Sequence, residues 1–405
     1  NYAASSVQQG ILPLWDPYTF SGRSFIGEMQ SGVFYPVKLL LYAWPFNRAG
    51  MFSPHLYHIY YVLVHLLAAV FMFVLAQELG LKEFPALVAA LCFALGGFVG
   101  TVPWPMMLDS AVWLPAIVLF VVRGFRAPQA ARGVLAACLA GLSLGMAMLA
   151  GSLHVPFMNV AVILSAAAWL AVSAPARPRF SLGWRSPWVR ALGIVALVGA
   201  VSFCAGAIQL LPSIEYSHLA VRYLGDGPPL PATEKIPYAR LADGLSPRAL
   251  FAFPLAQAAF GAAEFRPYLA FMPLLLVVIA VVREWHNPWV KYLAGVAALA
   301  FFYSLGSFSP LHALAYALVP YLWMAREAGR FIYLTHFAMA LLAGFGAQAL
   351  FAAKPADRRA FAGLARAFKW FVIAVAVLLG VPAFYSKPDV NEWTYFSFLF
   401  ILASY

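Results

Sequence analysis

The sequence predicts an all-α polytopic membrane protein, and three observations carry that prediction. Hydrophobic residues make up 63% of the 405 residues and charged ones only 10%. Mean hydropathy is +0.81. Apolar runs long enough to cross about 30 Å of hydrocarbon at 1.5 Å per residue recur along the whole chain. A soluble domain does not carry that composition. The net charge of +11 would suggest nucleic acid in a soluble protein. Here most basic residues fall between apolar segments, where membrane topology accounts for them, and no nucleic-acid partner is expected. Cys92, Cys138 and Cys204 lie inside apolar segments without metal-type spacing and read as packing residues. The chain begins at Asn1 rather than Met and stops at Tyr405 inside an apolar run, so it reads as a piece truncated at both ends.

Residues 1–56 are polar, aromatic and rich in Gly and Pro, and read as a first external loop ahead of a transmembrane helical domain over 57–405. The apolar runs then follow at 57–79, 84–102, 133–151, 153–173, 190–212, 267–283, 290–306, 331–353 and 369–385. A shorter run lies near 108–122 and a further one begins near 394, which makes about eleven helices. Pro103, Pro105 and Pro115 interrupt the chain around the second run and the short one, and soften their boundaries.

Orientation follows from Lys and Arg. With residues 1–56 outside, fifteen of the twenty-six basic residues fall in the loops then expected to be cytoplasmic, among them Lys82, Arg123, Arg126 and Lys354. The short outer loops near 103–108 and 151–154 carry none. Eleven of the fifteen acids fall outside, including Asp16, Glu28 and Asp109. The outer face therefore carries whatever chemistry there is. The expected location is a membrane crossed several times, with lipid as the surrounding partner.

The expected spans have no charge near their centres, which argues against an ion-coupled transporter or channel, because a transport pathway needs groups that bind or relay charge. Their polar exceptions are neutral: His65, Gln209 and His336. His58 and His65 are seven apart, where a helical metal pair would be four apart, and each reads as a packed histidine bonded to a neighbouring helix. Two further outer stretches are long, at about 213–266 and 307–330. Their small apolar patches broken by Pro and single charges suit short interfacial helices. Such loops either roof a cavity at the outer leaflet or serve as aromatic interfacial connectors.

The segment "GILPLWDPYTFSGRSFIGEMQSGVFYPVKLL" (10–40) resembles the first external loop of the YfhO-type bacterial membrane proteins. The resemblance continues through "LVHLL", "ALGGFVG", "AVWLPAIVL", "LAGSLHVPF", "QLLPSIEYS" and "REAGRFIYLTHFAMALLAGFGA", and so covers nearly the whole chain. It implies a GT-C-like glycosyltransferase fold and a location in a bacterial inner (cytoplasmic) membrane. The implied activity is transfer of a sugar from a polyprenyl-phosphate donor to a cell-envelope polymer or lipid acceptor on the outer face. The sequence departs from the family pattern at Asp16, usually Asn, and at Ser24, usually Pro. The family's main catalytic acid falls upstream of Asn1.

In that scheme a carboxylate outside the membrane takes the acceptor's proton, while cationic groups or a divalent metal stabilise the departing phosphate. The sequence does not identify a cofactor. Candidate catalytic acids are Asp109, Asp16 and Glu28. Asp109 stands in a short outer turn and reads equally as a helix N-cap, and Asp16 before Pro17 reads also as a turn-former. Arg326 and Arg330, four apart, would share a helix face and hold a phosphate, with Arg222 a further candidate of the same kind. His154, in an outer turn, would donate to the phosphate or to a sugar hydroxyl, or cap a helix. Trp15 and Tyr18 offer faces for a sugar ring, while Gln30 and Tyr35 shape the loop. The alternative function is a flippase or exporter of polyprenyl-linked glycans.

Overall fold

In a computed structural model, the structure describes residues 2–19, 21–47, 50–51, 53–174, 186–223, 227–241, 244–254, 267–320, 322–325 and 327–352, with scattered positions from 362 to 374. The chain is mostly helical. The first loop contains α1 (Tyr2–Gln8), the two-residue strands β1 (Trp15–Asp16) and β2 (Arg23–Ser24), and α2 (Pro36–Tyr42). Then come α3 (Pro54–Glu78), α4 (Glu83–Leu95), α5 (Gly97–Thr101), α6 (Pro105–Ala111), α7 (Leu114–Arg126), α8 (Ala130–Leu149), α9 (His154–Ser173) and α10 (Pro187–Ser217). A second short hairpin, β3 (Val221–Arg222) with β4 (Leu230–Pro231), precedes α11 (Tyr238–Leu241), α12 (Phe271–Arg283), α13 (Pro288–Ser304), α14 (Pro310–Leu318) and α15 (Ile332–Phe351).

Among the described residues, seven helical stretches are long and apolar enough to cross a membrane: 54–78, 83–101, 105–126, 130–149, 154–173, 187–217 and 328–351. The protein is therefore a multi-pass membrane protein. The expected runs at 267–283 and 290–306 form shorter helices, α12 of 13 residues and α13 of 17. Helix α12 starts late because residues 267–270 run without regular structure before it, with Ala270 at φ +69°. The short run near 108–122 belongs to the longer stretch 105–126, broken only at Val112 and Trp113 between α6 and α7. The run near 394 and most of 369–385 lie outside the described residues.

Prolines set several helix starts, where their missing N–H is one of the unbonded donors anyway. Pro36, Pro105, Pro115, Pro187, Pro288 and Pro310 all sit in first turns. The Asn287 side chain accepts from Trp289 N at 2.9 Å and the Ser309 side chain from Leu311 N at 3.3 Å, capping α13 and α14. At 31 residues α10 is roughly 46 Å long, more than a bilayer core needs.

The chain divides into two compact units. The first comprises residues 1–71 and 104–235 and packs α7, α8, α9 and α10 together. Its closest helix pair, α8 with α10, meets through "GLSLG". A Cβ on Gly141 would stand 2.7 Å from Val201 Cβ, and one on Gly145 would stand 2.6 Å from Ala205 Cβ. Small residues four apart let two backbones approach where lipid removes the hydrophobic drive between helices. The second unit comprises residues 72–103 and 236–405, and its centre is α15. Nearly every α15 residue from Ile332 to Ala349 is buried, against α4, α12 and α13. A helix apolar all round and buried all round is a core helix. Gly346 is where α12 comes closest: a Cβ there would overlap the Leu276 carbonyl.

The neutral polar groups of the spans are engaged. His336 Nδ1 accepts from Phe98 N at 2.8 Å, on a neighbouring element as expected. His65 instead bonds the Tyr61 carbonyl of its own helix at 2.8 Å, and His58 is exposed.

Gly346→Ala is expected to destabilise the second unit by about 1–3 kcal/mol, because the Leu276 backbone cannot yield. Gly295→Ala on α13, where nothing lies within 4 Å, is expected to be neutral or to stabilise by up to about 1 kcal/mol. Thermal unfolding of the two variants in detergent checks the pair; equal Tm values would contradict the packing described for α15.

Candidate functional site

The first loop is a folded structure built from local chemistry. The Asp16 carboxylate closes a turn onto its own chain, accepting from Tyr18 N at 2.9 Å and from the Thr19 hydroxyl at 2.5 Å. This brings β1 antiparallel to β2 with Asp16 opposite Arg23 and Trp15 opposite Ser24. The Arg23 guanidinium stands 3.8 Å from Asp16 and also ion-pairs with Glu28, joining the two acids across the hairpin. Helix α1 buttresses this. The Tyr2 hydroxyl donates to the Trp15 carbonyl, and its ring lies edge-on to Tyr18 at 5.9 Å and to Phe25 at 5.3 Å. The Trp15 and Tyr18 side chains stay open, at 56% and 83% exposed.

The far half of the loop is seated on the first unit's helices. Gln209, fully buried on α10, donates its amide to the Ile26 carbonyl at 2.7 Å. Residues 29–31 form a 3-10 turn. The Met29 carbonyl comes so close to Gly151, between α8 and α9, that a Cβ there would stand 2.5 Å away. Tyr35 is fully buried against Leu149 and Ala150, and its hydroxyl accepts from Trp113 Nε1 at 2.9 Å. One helical turn on, Lys38 of α2 turns inward. Its ammonium is 3.2 Å from one oxygen of Asp109, and the Tyr60 hydroxyl donates to the other at 2.9 Å.

Asp109 is thus neither in a turn nor at an N-cap. It lies inside α6, whose N-cap is Trp104, and has no exposed surface. The chain turns earlier than the hydropathy suggests, because Pro103 and Pro105 end one helix and start the next. Neighbouring Ser110 donates to the Ala147 carbonyl at 2.8 Å and pins α6 to α8.

The predicted site residues separate accordingly. Asp16 and Glu28 are joined through Arg23, with Trp15 and Tyr18 on the same hairpin. Gln30 is exposed on the 3-10 turn, and Tyr35 is buried beneath it. His154 opens α9 half-buried; the N-cap is Leu153, and the Ser152 hydroxyl before it accepts from Val155 N at 3.3 Å. Arg222 spends its guanidinium on the Ala232 and Glu234 carbonyls and holds the β3–β4 hairpin shut. Arg330 belongs to the second unit, in a 3-10 turn over Ala328–Phe331 that starts after extended Glu327. Arg326, expected to share a helix face with Arg330, lies outside the described residues. Among the described residues no three His, Cys, Asp or Glu side chains are grouped so as to hold a metal ion. A cavity of the second unit, lined by Gln77, Leu81, Lys82, Phe84, Gln348 and Phe351, includes none of the predicted site residues.

Arg23, Lys38 and Tyr60 join the site without having stood out in the sequence. The available signal was complementary: one lysine alone in "PVKLLLY" and one aspartate alone in "PMMLDSA" are two opposite charges that apolar surroundings force to find each other.

Electrostatics rank the loop's acids. The Thr19 hydroxyl first, then Tyr18 N and the Arg23 charge, hold the Asp16 carboxyl below the usual range. A carboxylate so well supplied with donors is a weak base. Tyr42, on α2, is pushed up to about 12 by burial and by the neighbouring Tyr57 and Asp109, and burial with Asp109 raises Tyr35 further still, so neither phenol ionises near neutral pH. Comparison with family models, with characterised proteins and with solved structures found no match.

Because Asp16's pKa is depressed on folding, its contribution to the hairpin is fully present above its unfolded value of about 3.9 and is lost as pH falls through the lower folded value. Hydrogen exchange over residues 14–24, corrected for intrinsic rates, is expected to stay constant from pH 7 to about pH 4.5 and to accelerate in more acid solution. Acceleration already between pH 7 and pH 5 would contradict this assignment.

Proposed function

We propose that the chain is a membrane glycosyltransferase that moves a sugar from a polyprenyl-phosphate-linked donor to a cell-envelope acceptor, with the first loop forming the sugar-binding wall. One observation carries the reading: a loop in a membrane protein is folded around a hydrogen-bonded carboxylate hairpin that leaves two large aromatic side chains, Trp15 and Tyr18, exposed, in the same loop as the Arg23–Glu28 ion pair. Aromatic faces next to carboxylates are what a sugar ring and its hydroxyls require. The resemblance of residues 10–40 to a family with GT-C-like folds supports the same reading.

Among the three candidate acids Glu28 is best suited as the base. Asp109 has no exposed surface, and Asp16 has its oxygens committed to the turn. The Glu28 side chain is 27% exposed. In the proposed step Glu28 takes the proton of an acceptor hydroxyl, the freed oxygen bonds to the anomeric carbon, and the bond from that carbon to the phosphate oxygen breaks, its electron pair leaving with the polyprenyl phosphate. Protonation of Glu28 cancels its charge and releases the Arg23 guanidinium from that ion pair. Still beside Asp16, the Arg23 guanidinium then meets the charge that grows on the phosphate.

The test is reconstitution of the full-length protein in lipid with radiolabelled polyprenyl-phosphate sugars and crude envelope acceptors. Label is expected to leave the lipid for the acceptor, and Glu28→Gln is expected to slow this by about 10²–10⁴-fold, the usual worth of a positioned base. Label that stays on the lipid but crosses between leaflets would replace the transferase with a flippase.

A further inference from the structure

Two charges buried in the first unit are left over once Glu28 takes the base role. Lys38 and Asp109 sit 3.2 Å apart, each almost wholly or wholly removed from solvent, with Tyr60 donating to the acid's second oxygen. Lys38 belongs to the first loop and Asp109 to a helix long and apolar enough to span the membrane. An ion pair of this kind seldom adds net stability over two apolar residues, but stranding either partner alone is strongly unfavourable. Its effect is therefore on position: the loop can lift from the helix only by exposing one buried charge and abandoning the other. Other contacts at this end of the loop, such as Tyr35 with Trp113 and the Met29 carbonyl over Gly151, are neutral and lack that all-or-none character.

We infer that Lys38 and Asp109 are positioning residues: their buried pair fixes residues 29–42 on the helices, and through them the part of the loop that carries Glu28. Asp109, the acid that the sequence marks as a catalytic candidate, then acts through Lys38 rather than on substrate. This rests on the transferase reading for its consequence in catalysis, though not for the anchoring itself.

Removing charge from one partner or from both separates this role from a catalytic one. The full-length protein is compared with Lys38→Met, Asp109→Asn and the double variant, by hydrogen exchange over residues 29–42 and by the rate of sugar transfer. Each single variant is expected to speed exchange and slow transfer by at least about tenfold, a floor well below the cost of orphaning a buried charge. In the double variant no charge is stranded, and the side-chain amide that replaces the Asp109 carboxylate still accepts from Tyr60. Both readouts should return to within about threefold of the native protein, a non-additivity that marks residues acting as one unit. A double variant with native exchange that remains as slow as Asp109→Asn would make Asp109 catalytic and overturn the inference. So would single variants whose loop exchange is native, or a loosened loop that transfers sugar at the native rate. If the native protein transfers no sugar, the transferase reading fails, and the exchange measurements alone decide the anchor.

Discussion

One constraint governs the arrangement of the first unit: charge cannot be left alone in an apolar interior. The helix that carries Asp109 places a carboxylate with no exposed surface inside the bundle, and the ammonium that answers it comes from the first loop. Other contacts at the seat of that loop accompany the Lys38 pair. Tyr35 fills the space against Leu149 and Ala150, residues 29–31 ride on the connection between α8 and α9, and Gln209 donates to the Ile26 carbonyl. The hairpin that bears Trp15, Asp16 and Arg23, and Glu28 after it, are then held against the helices rather than left as a solvated connector.

The second unit is assembled by different physics. Its centre, α15, carries no charged side chain between Ile332 and Phe351, and it is held by close approach rather than by electrostatic pairing. Gly344 sits where a Cβ would meet Leu81 and the Pro85 carbonyl, and Gly346 admits the Leu276 backbone. Of the polar groups that do occur, Thr335 donates to the Ala297 carbonyl within α13 at 3.2 Å, and Gln348 serves a helix end. Gln348 accepts from Lys82 N at 2.8 Å and donates to the Gly80 carbonyl at 3.3 Å, closing the turn that leads into α4. Small residues and capped ends are the means by which helices associate where lipid is as apolar as leucine.

Hydropathy alone located α3, α8, α9, α10 and α15 to within a few residues, because burial in hydrocarbon is a property of composition that neighbours do not alter. It failed where backbone geometry decides. Prolines 103 and 105 moved Asp109 from an expected turn into α6, and Arg330 stands in a 3-10 turn that follows extended Glu327. The turn chemistry of Asp16 was legible in "WDPYT", since an aspartate before a proline bonds its own backbone nearby. The partnership of Lys38 with Asp109 spans 71 positions of sequence, and no local pattern reports it. What the sequence showed was only that each charge was out of place among apolar neighbours. Arg222 illustrates the converse: a lone cation in a polar loop looked available for phosphate and is committed to two backbone carbonyls.

Most depends on the first loop being where the sugar of a lipid-linked donor rests. A polyprenyl-phosphate sugar bearing a photoreactive diazirine on the sugar ring, activated in the reconstituted full-length protein and mapped by peptide mass spectrometry, tests that directly. Labelling concentrated in residues 13–36 and competed by unmodified donor is the predicted result. Labelling that spares this segment, with competable adducts elsewhere in the chain, would contradict it.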